Sequence, residues 1–189
     1  MQIRHLFTDA QLETRDDSEP TIEGYFSVFG PEYKVTPDIS EVVEPTAFNL
    51  DRDTDVRALV NHDTTLVLGR TKAGTLTLDV DERGLHGVVK VNPADPQAMG
   101  CYERVKRGDV SQCSFGFNVL SRTVERREDG RALFRLNDVQ LFEVSVCTFP
   151  AYEDTEISAR EKDFRAVLDR EAAEWRQRMR LKLEGEKHA

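Results

Sequence analysis

From residue 113 to residue 119 the chain alternates with a strict period of two. Cys113, Phe115, Phe117 and Val119 fall on one side, and Ser114, Gly116 and Asn118 on the other. Successive residues point to opposite faces in an extended strand, so this stretch is a β-strand with one aromatic face turned to a core. Its second face holds only small or polar groups. That leaves a floor over which something else can approach the backbone.

The same period recurs along the chain. Residues 21–29 (TIEGYFSVF) are aromatic and β-branched and close at Gly30-Pro31, the pattern of a bounded strand. Residues 39–43 add a short strand, Pro45-Thr46-Ala47-Phe48 a turn or one helical turn, and the run through Asp51, Arg52, Asp53 and Asp55 a solvated loop. Residues 56–62 place Val56, Ala58, Val60 and His62 on one face, and residues 66–70 follow with a break at Gly69. Residues 75–80 and 85–91 flank Asp81-Glu82-Arg83-Gly84 as a hairpin. His86 lies opposite Leu85, Val89 and Val91 and reads as a surface residue. Residues 122–131 form a charged loop, and residues 139–149 a long β stretch interrupted by Glu143 and closed by Pro150. Residues 1–20 are charged and hold at most one short strand.

Two helices punctuate the strands. Asp95 is an N-cap, Pro96 takes the favoured first position and Gly108 is a natural stop, so residues 96–107 are helical. Met99, Tyr102 and Val105 then face the core. Further on, Ser158-Ala159-Arg160-Glu161 is a capping box. Phe164, Val167, Leu168, Ala172, Trp175, Met179 and Leu183 mark one stripe behind it. Two readings stand for this helix: packed on the body, or an arm that docks a partner or forms a coiled coil. Charge separates it from the rest, because residues 160–189 carry a net +2 while the remainder carries −11.

At 189 residues and 39% hydrophobic content the chain suits one domain with room for an appendage. A net charge of −9 argues against nucleic acid or an anionic membrane as partner, since both attract basic patches. No run approaches the roughly 20 apolar residues of a membrane span, and the first 17 residues lack an apolar signal core. Cys101, Cys113 and Cys147 are odd in number and lack metal-ligand spacing, which suits a reducing compartment. With four scattered histidines and no glycine-rich phosphate loop, neither a metal nor another cofactor is expected.

The chemistry to consider is nucleophilic. A serine hydroxyl needs a base to take its proton and a group to orient that base. Ser114, His62 and Glu143 could fill these roles. His62 and Glu143 also have plainer readings: a core-edge histidine bonded to backbone, and a glutamate facing solvent on an edge strand. A carboxylate inside a strand-core run otherwise needs a partner or water. Gly-x-Ser-x-Gly is absent, which counts against an α/β-hydrolase. Cys113, beside Ser114, is a rival nucleophile, but alternation puts it on the aromatic face.

Short motifs in a fixed order then add to this reading. They are Gly24-Tyr25-Phe26-Ser27-Val28-Phe29, Glu44-Pro45-Thr46-Ala47-Phe48, Val60-Asn61-His62-Asp63 and Leu68-Gly69-Arg70-Thr71. After these come Gly74-Thr75-Leu76, Lys106-Arg107-Gly108-Asp109-Val110, Ser114-Phe115-Gly116-Phe117, Leu141-Phe142-Glu143-Val144-Ser145-Val146 and Thr148-Phe149-Pro150-Ala151-Tyr152. In these residues the chain resembles the tailed-phage prohead protease family, the capsid maturation proteases of phages and prophages. One departure is Gln112-Cys113 in place of a Gly-Met pair before the serine, which bears on subsite shape.

The resemblance implies an α+β fold, mainly an antiparallel β-barrel of the herpesvirus assemblin type with surrounding helices. Residues 1–157 would form this body, and residues 158–189 a long C-terminal helix and tail. It implies a serine endopeptidase with Ser114 as nucleophile, His62 as base and Glu143 in the third position. The implied substrates are the major capsid protein with its scaffolding segment, or a separate scaffold, inside an immature prohead in the host cytoplasm. Self-cleavage and a homodimer belong to the same expectation. The alternatives are a catalytically inactive β-barrel module that assembles capsid or binds scaffold, and a cysteine hydrolase using Cys113.

Overall fold

A computed structural model describes residues 4–8, 12–15, 19–149 and 154–186, with side chains for 12–15, 19–149 and 164–182. Strands dominate. They are β1 (Arg4–Thr8), β2 (Leu12–Arg15), β3 (Thr21–Val28), β4 (Tyr33–Thr36), β5 (Ile39–Val43), β6 (Arg57–Val60) and β7 (Asp63–Arg70). Then come β8 (Leu76–Val80), β9 (Gly84–Lys90), β10 (Gln112–Arg126) and β11 (Ala132–Cys147). The helices are α1 (Pro96–Arg107) and α2 (Asp154–Glu186). No described helix is long and apolar enough to cross a membrane.

The strands form two sheets. A seven-stranded sheet runs β1-β10-β11-β5-β4, with β6 also on β11 and β7 on β6; a four-stranded sheet runs β2-β3-β9-β8. The architecture is α+β, as expected, but the ladders among the described residues do not close into a barrel. Nor is the pairing wholly antiparallel, because β11 pairs in parallel with β5 over its first part and with β6 over its last. The length of β11 explains this: one strand carries two short partners end to end, and both connect to it from earlier in the chain.

The core lies between the sheets and α1. Ile22, Phe26, Leu85 and Val89 meet Phe115, Phe117 and Val144, with Tyr102 and Val105 of α1, all buried. Helix α1 has the bounds its caps predict. Asp95 accepts from the N–H groups of Gln97 and Ala98, and Gly108 closes the helix at φ +84°, a backbone region that favours glycine.

Three expectations change. The first segment holds two strands, β1 and β2, rather than one. The charged stretch from residue 122 continues β10 to Arg126, leaving only residues 127–131 as the turn into β11. The acidic run before β6 is not all solvated: Asp53 is 7% exposed. Its carboxylate pairs with Arg52 and accepts the N–H of Leu141 at 2.9 Å.

Helix α2 begins at Asp154, so the Ser158 box falls inside it; the side chains of that box lie outside the described residues. Phe164 is fully buried and meets Phe134 edge-on at 4.4 Å, and Arg126 donates to the Leu168 carbonyl at 3.0 Å. Farther along the stripe Trp175 and Met179 are exposed. One end of the helix is therefore seated on the body, while the later stripe is uncovered; Leu183 lies outside the described side chains.

Candidate active site

The site is built on the β10–β11 ladder. Gln112 lies opposite Cys147, Ser114 opposite Ser145, and Gly116 opposite Glu143. Directly opposed residues share a face, so these six lie together on the side away from the Phe115 core. On its other edge Ser114 is registered with Phe7 of β1. The ladder shifts register between Gly116 and Phe117, where Phe142 is the extra residue on β11. This bulge changes the phase of β11. Leu141 packs in the core with Val144 and Val146, while Glu143, Ser145 and Cys147 take the opposite face. Simple alternation would have put Leu141 and Glu143 on the same side.

Gly116 is where the small-residue floor is used. A Cβ at this position would overlap Oε1 of Glu143. The floor is therefore occupied by the chain's own carboxylate, correcting the expectation that it lies open beside Gly116 for a substrate backbone.

His62 reaches this carboxylate from a turn. Asn61 and His62 have φ of +50° and +60° between Val60 and Asp63, which pair. Two positive φ values in a two-residue hairpin loop are the signature of a type I′ turn. His62 thus leaves β6 before alternation can assign it to the face of Val56 and Ala58. Its conformation is uncommon for a residue with a side chain, and β11 holds it. The Asn61 N–H donates to the Val146 carbonyl at 2.9 Å, Asn61 Oδ1 accepts from the Thr148 N–H at 2.9 Å, and the His62 N–H donates to Ser145 Oγ at 3.2 Å.

The imidazole then meets Glu143, with Nδ1 2.7 Å from Oε1. The other carboxylate oxygen accepts from Ser145 Oγ at 2.6 Å. The His62 side chain is 17% exposed and that of Glu143 is 8%. With the carboxylate ionised, Nδ1–H is the donor and Nε2 keeps its lone pair, the tautomer a general base requires. Ser145 positions both partners, orienting the carboxylate with its proton while its oxygen receives the His62 backbone.

Sequence reading reached His62, Glu143 and Ser114, and the structure brings the first two into contact over the face that carries the third. Ser114 itself is fully buried. Reading missed Ser145 and Cys147, although alternation counted onward from Glu143 would have found both. The Cys147 thiol lies 3.8 Å from His62 Nε2. Burial, reinforced by the charge of Glu143, pushes its pKa up, so it stays a thiol at neutral pH. Cys113 is buried on the opposite face, its thiol directed at the Tyr25 carbonyl. That placement takes it away from His62 and removes support from the cysteine-hydrolase reading.

Comparison with known proteins agrees with these motifs. The profile of the caudovirus prohead serine protease family matches residues 8–170. The prohead protease of Enterobacteria phage HK97 is 30% identical over 158 residues, covering 81% of this chain and 66% of that protein. The chain thus spans slightly less than two thirds of that relative's length. Among solved structures, the bacteriophage T4 capsid assembly protease aligns with a TM-score of 0.49 and 12% identity, over 78% of this chain and 99% of that one. The extent of the profile match decides the assignment: this chain belongs to the caudovirus prohead serine protease family.

Proposed function

We propose that the chain is a serine endopeptidase that processes capsid and scaffold proteins during prohead maturation. The observation that carries this reading is the His62–Glu143 contact of 2.7 Å on the sheet face shared with Ser114. Ser114 is the nucleophile that attacks the scissile carbonyl. His62 Nε2 takes the hydroxyl proton and returns it to the leaving amine, and Glu143 holds the imidazole and stabilises its cation. Water then hydrolyses the acyl-enzyme by the same proton path.

The substrate in this reading is the major capsid protein with its scaffolding segment, cut within the immature shell in the bacterial cytoplasm. Self-cleavage and pairing of two copies extend the same proposal. So does the herpesvirus-type kinship of the body, with residues 1–157 as protease and 158–189 as a long appended helix. The exposed part of the helix stripe supports a tethering role for that appendage.

The test is co-expression with the capsid protein encoded beside it, wild type against Ser114→Ala, read by intact mass. Shortened capsid protein with the wild type alone supports the endopeptidase. The full burial of Ser114 favours a second reading, a non-catalytic assembly module. Equal masses in both arms, with normal particles from Ser114→Ala, would favour that module.

A further inference from the structure

β7 does not follow β6 closely. Leu59 pairs with Val67 and Val60 with Asp63, so Thr64, Thr65 and Leu66 bow out of the ladder. Bulges next to active sites re-aim side chains. This one stands beside a hollow between β7 and α1, of about 270 Å³, lined among others by Val60, Thr65, Leu68, Ala98, Cys101 and Arg104. Val60 and Thr65 flank the turn that carries His62, so the hollow adjoins the candidate base. Pockets for small molecules begin at about 300 Å³, and a space slightly below that suits one amino-acid side chain.

The charge at its rim has a sign. Asp95 is engaged as the cap of α1. Arg104, one turn beyond Gly100, lies back along the helix, its guanidinium 3.6 Å from where a Gly100 Cβ would stand. Arg104 is exposed and makes no side-chain hydrogen bond or ion pair with another described residue. Apolar side chains within a mixed lining, a cation at its edge and the strand end that leads into the His62 turn are therefore contiguous.

We propose that this hollow is a substrate subsite: it takes an apolar side chain of the bound polypeptide while Arg104 pairs with an acidic residue next to it. The proposal rests on the endopeptidase reading and adds a sequence preference to it. Because Arg104 is exposed on α1, changing it alters the rim and leaves Ser114, His62 and Glu143 in place.

The experiment incubates the full chain with amine-blocked peptides from a trypsin digest of bacterial protein and identifies the cuts by mass spectrometry. Wild type, Arg104→Gln and Arg104→Glu are compared. Wild-type cuts should be enriched in Asp or Glu at one fixed position near the scissile bond, beside an apolar residue. Arg104→Glu should lower kcat/KM for the best acidic peptide by about tenfold, within the range that charge pairs at an interface exert, and should favour the matching lysine peptide. Arg104→Gln should lose the preference without reversing it. Cutting by wild type with no acidic preference, or the same preference in all three proteins, would overturn the subsite while leaving the protease intact. A wild-type chain that cuts no peptide would instead overturn the endopeptidase reading, and the subsite with it.

Discussion

Two hairpins in this molecule make their turns by different means. The β8–β9 hairpin carries bonds within its own turn: Asp81 Oδ1 accepts the N–H groups of Arg83 at 2.8 Å and Gly84 at 3.0 Å, and the Asp81 N–H donates to the Gly84 carbonyl. The β6–β7 hairpin is held from a distance. Asn61 and His62 bond to Val146, Thr148, Ser145 and Glu143 at the end of β11. The first turn has its specifying bonds written in neighbouring residues. The second is specified only once β11 is beside it, and it is the one that presents the imidazole. Backbone strain at a functional residue persists only where the surroundings over-determine it, and here the surroundings are a single strand end.

This contrast can be broken most severely at Glu143. Glu143→Gln keeps the volume but removes the charge behind the imidazole, and cleavage of the capsid protein should fall by about 10⁴-fold, as when a triad carboxylate becomes an amide. Far-UV circular dichroism should show the fold retained. Gly116→Ala should act next, through packing. Its methyl needs the volume of the Glu143 carboxylate, so stability should fall by about 1–3 kcal/mol in urea unfolding, with cleavage falling too.

Ser145→Ala removes the hydroxyl that accepts the His62 N–H and donates to Oε2 of Glu143. A loss of about 1–3 kcal/mol is expected, with a fall in kcat larger than the change in folded fraction explains. Asn61→Ala should cost about 1–2 kcal/mol through the left-handed conformation. Asn61→Gly should relieve that strain but still lose the Thr148 clasp; comparing their urea midpoints separates the two effects.

The smallest change belongs to the β8–β9 hairpin. The Tyr25 hydroxyl donates to Asp81 at 2.5 Å and, with the two turn N–H groups, holds that carboxyl below its usual range. A depressed folded value means this support is complete above about pH 4, the ordinary aspartate value, and is lost as pH falls through the depressed one. Carboxyl NMR titration should show Asp81 protonating late. Asp81→Asn should leave capsid cleavage at neutral pH unchanged, whereas any change at Glu143 does not.

What was legible in the sequence follows the same division. β5, α1 and the β8–β9 hairpin are written locally, in alternation, caps and turn residues, and they were read with close to their observed bounds. His62 is legible as a candidate, but its face is not, because alternation carried through Asn61 runs into a turn that contains no glycine. The Leu141-Phe142-Glu143 run looked like one strand with a carboxylate in the middle. The bulge that resolves it depends on pairing with β10 and on Asp53 taking the Leu141 N–H. Neither is visible in a window of neighbours. Ser114 is legible as the candidate nucleophile, but its burial depends on strands far apart in sequence. The helix stripe from Phe164 onward reads as continuous, whereas its first part, Phe164, Val167 and Leu168, packs with Val35, Ile39, Ala132 and Phe134.

The bulge at Phe142 also sets rules for how this part of the chain can change length. Since a strand repeats every two residues, one residue inserted between Glu143 and Cys147 would turn part of the site face into the core. Deleting Phe142 would make Leu141 and Glu143 neighbours opposite Phe117 and Gly116, removing the bulge while leaving the two on opposite faces. Two inserted residues would preserve the faces but move the carboxylate away from Gly116. In residues 127–131, beyond the ladder, any number is compatible with the same register. Lineages of this protein should therefore differ in length at that turn and keep a fixed count from Ser114 to Gly116 and from Glu143 to Thr148.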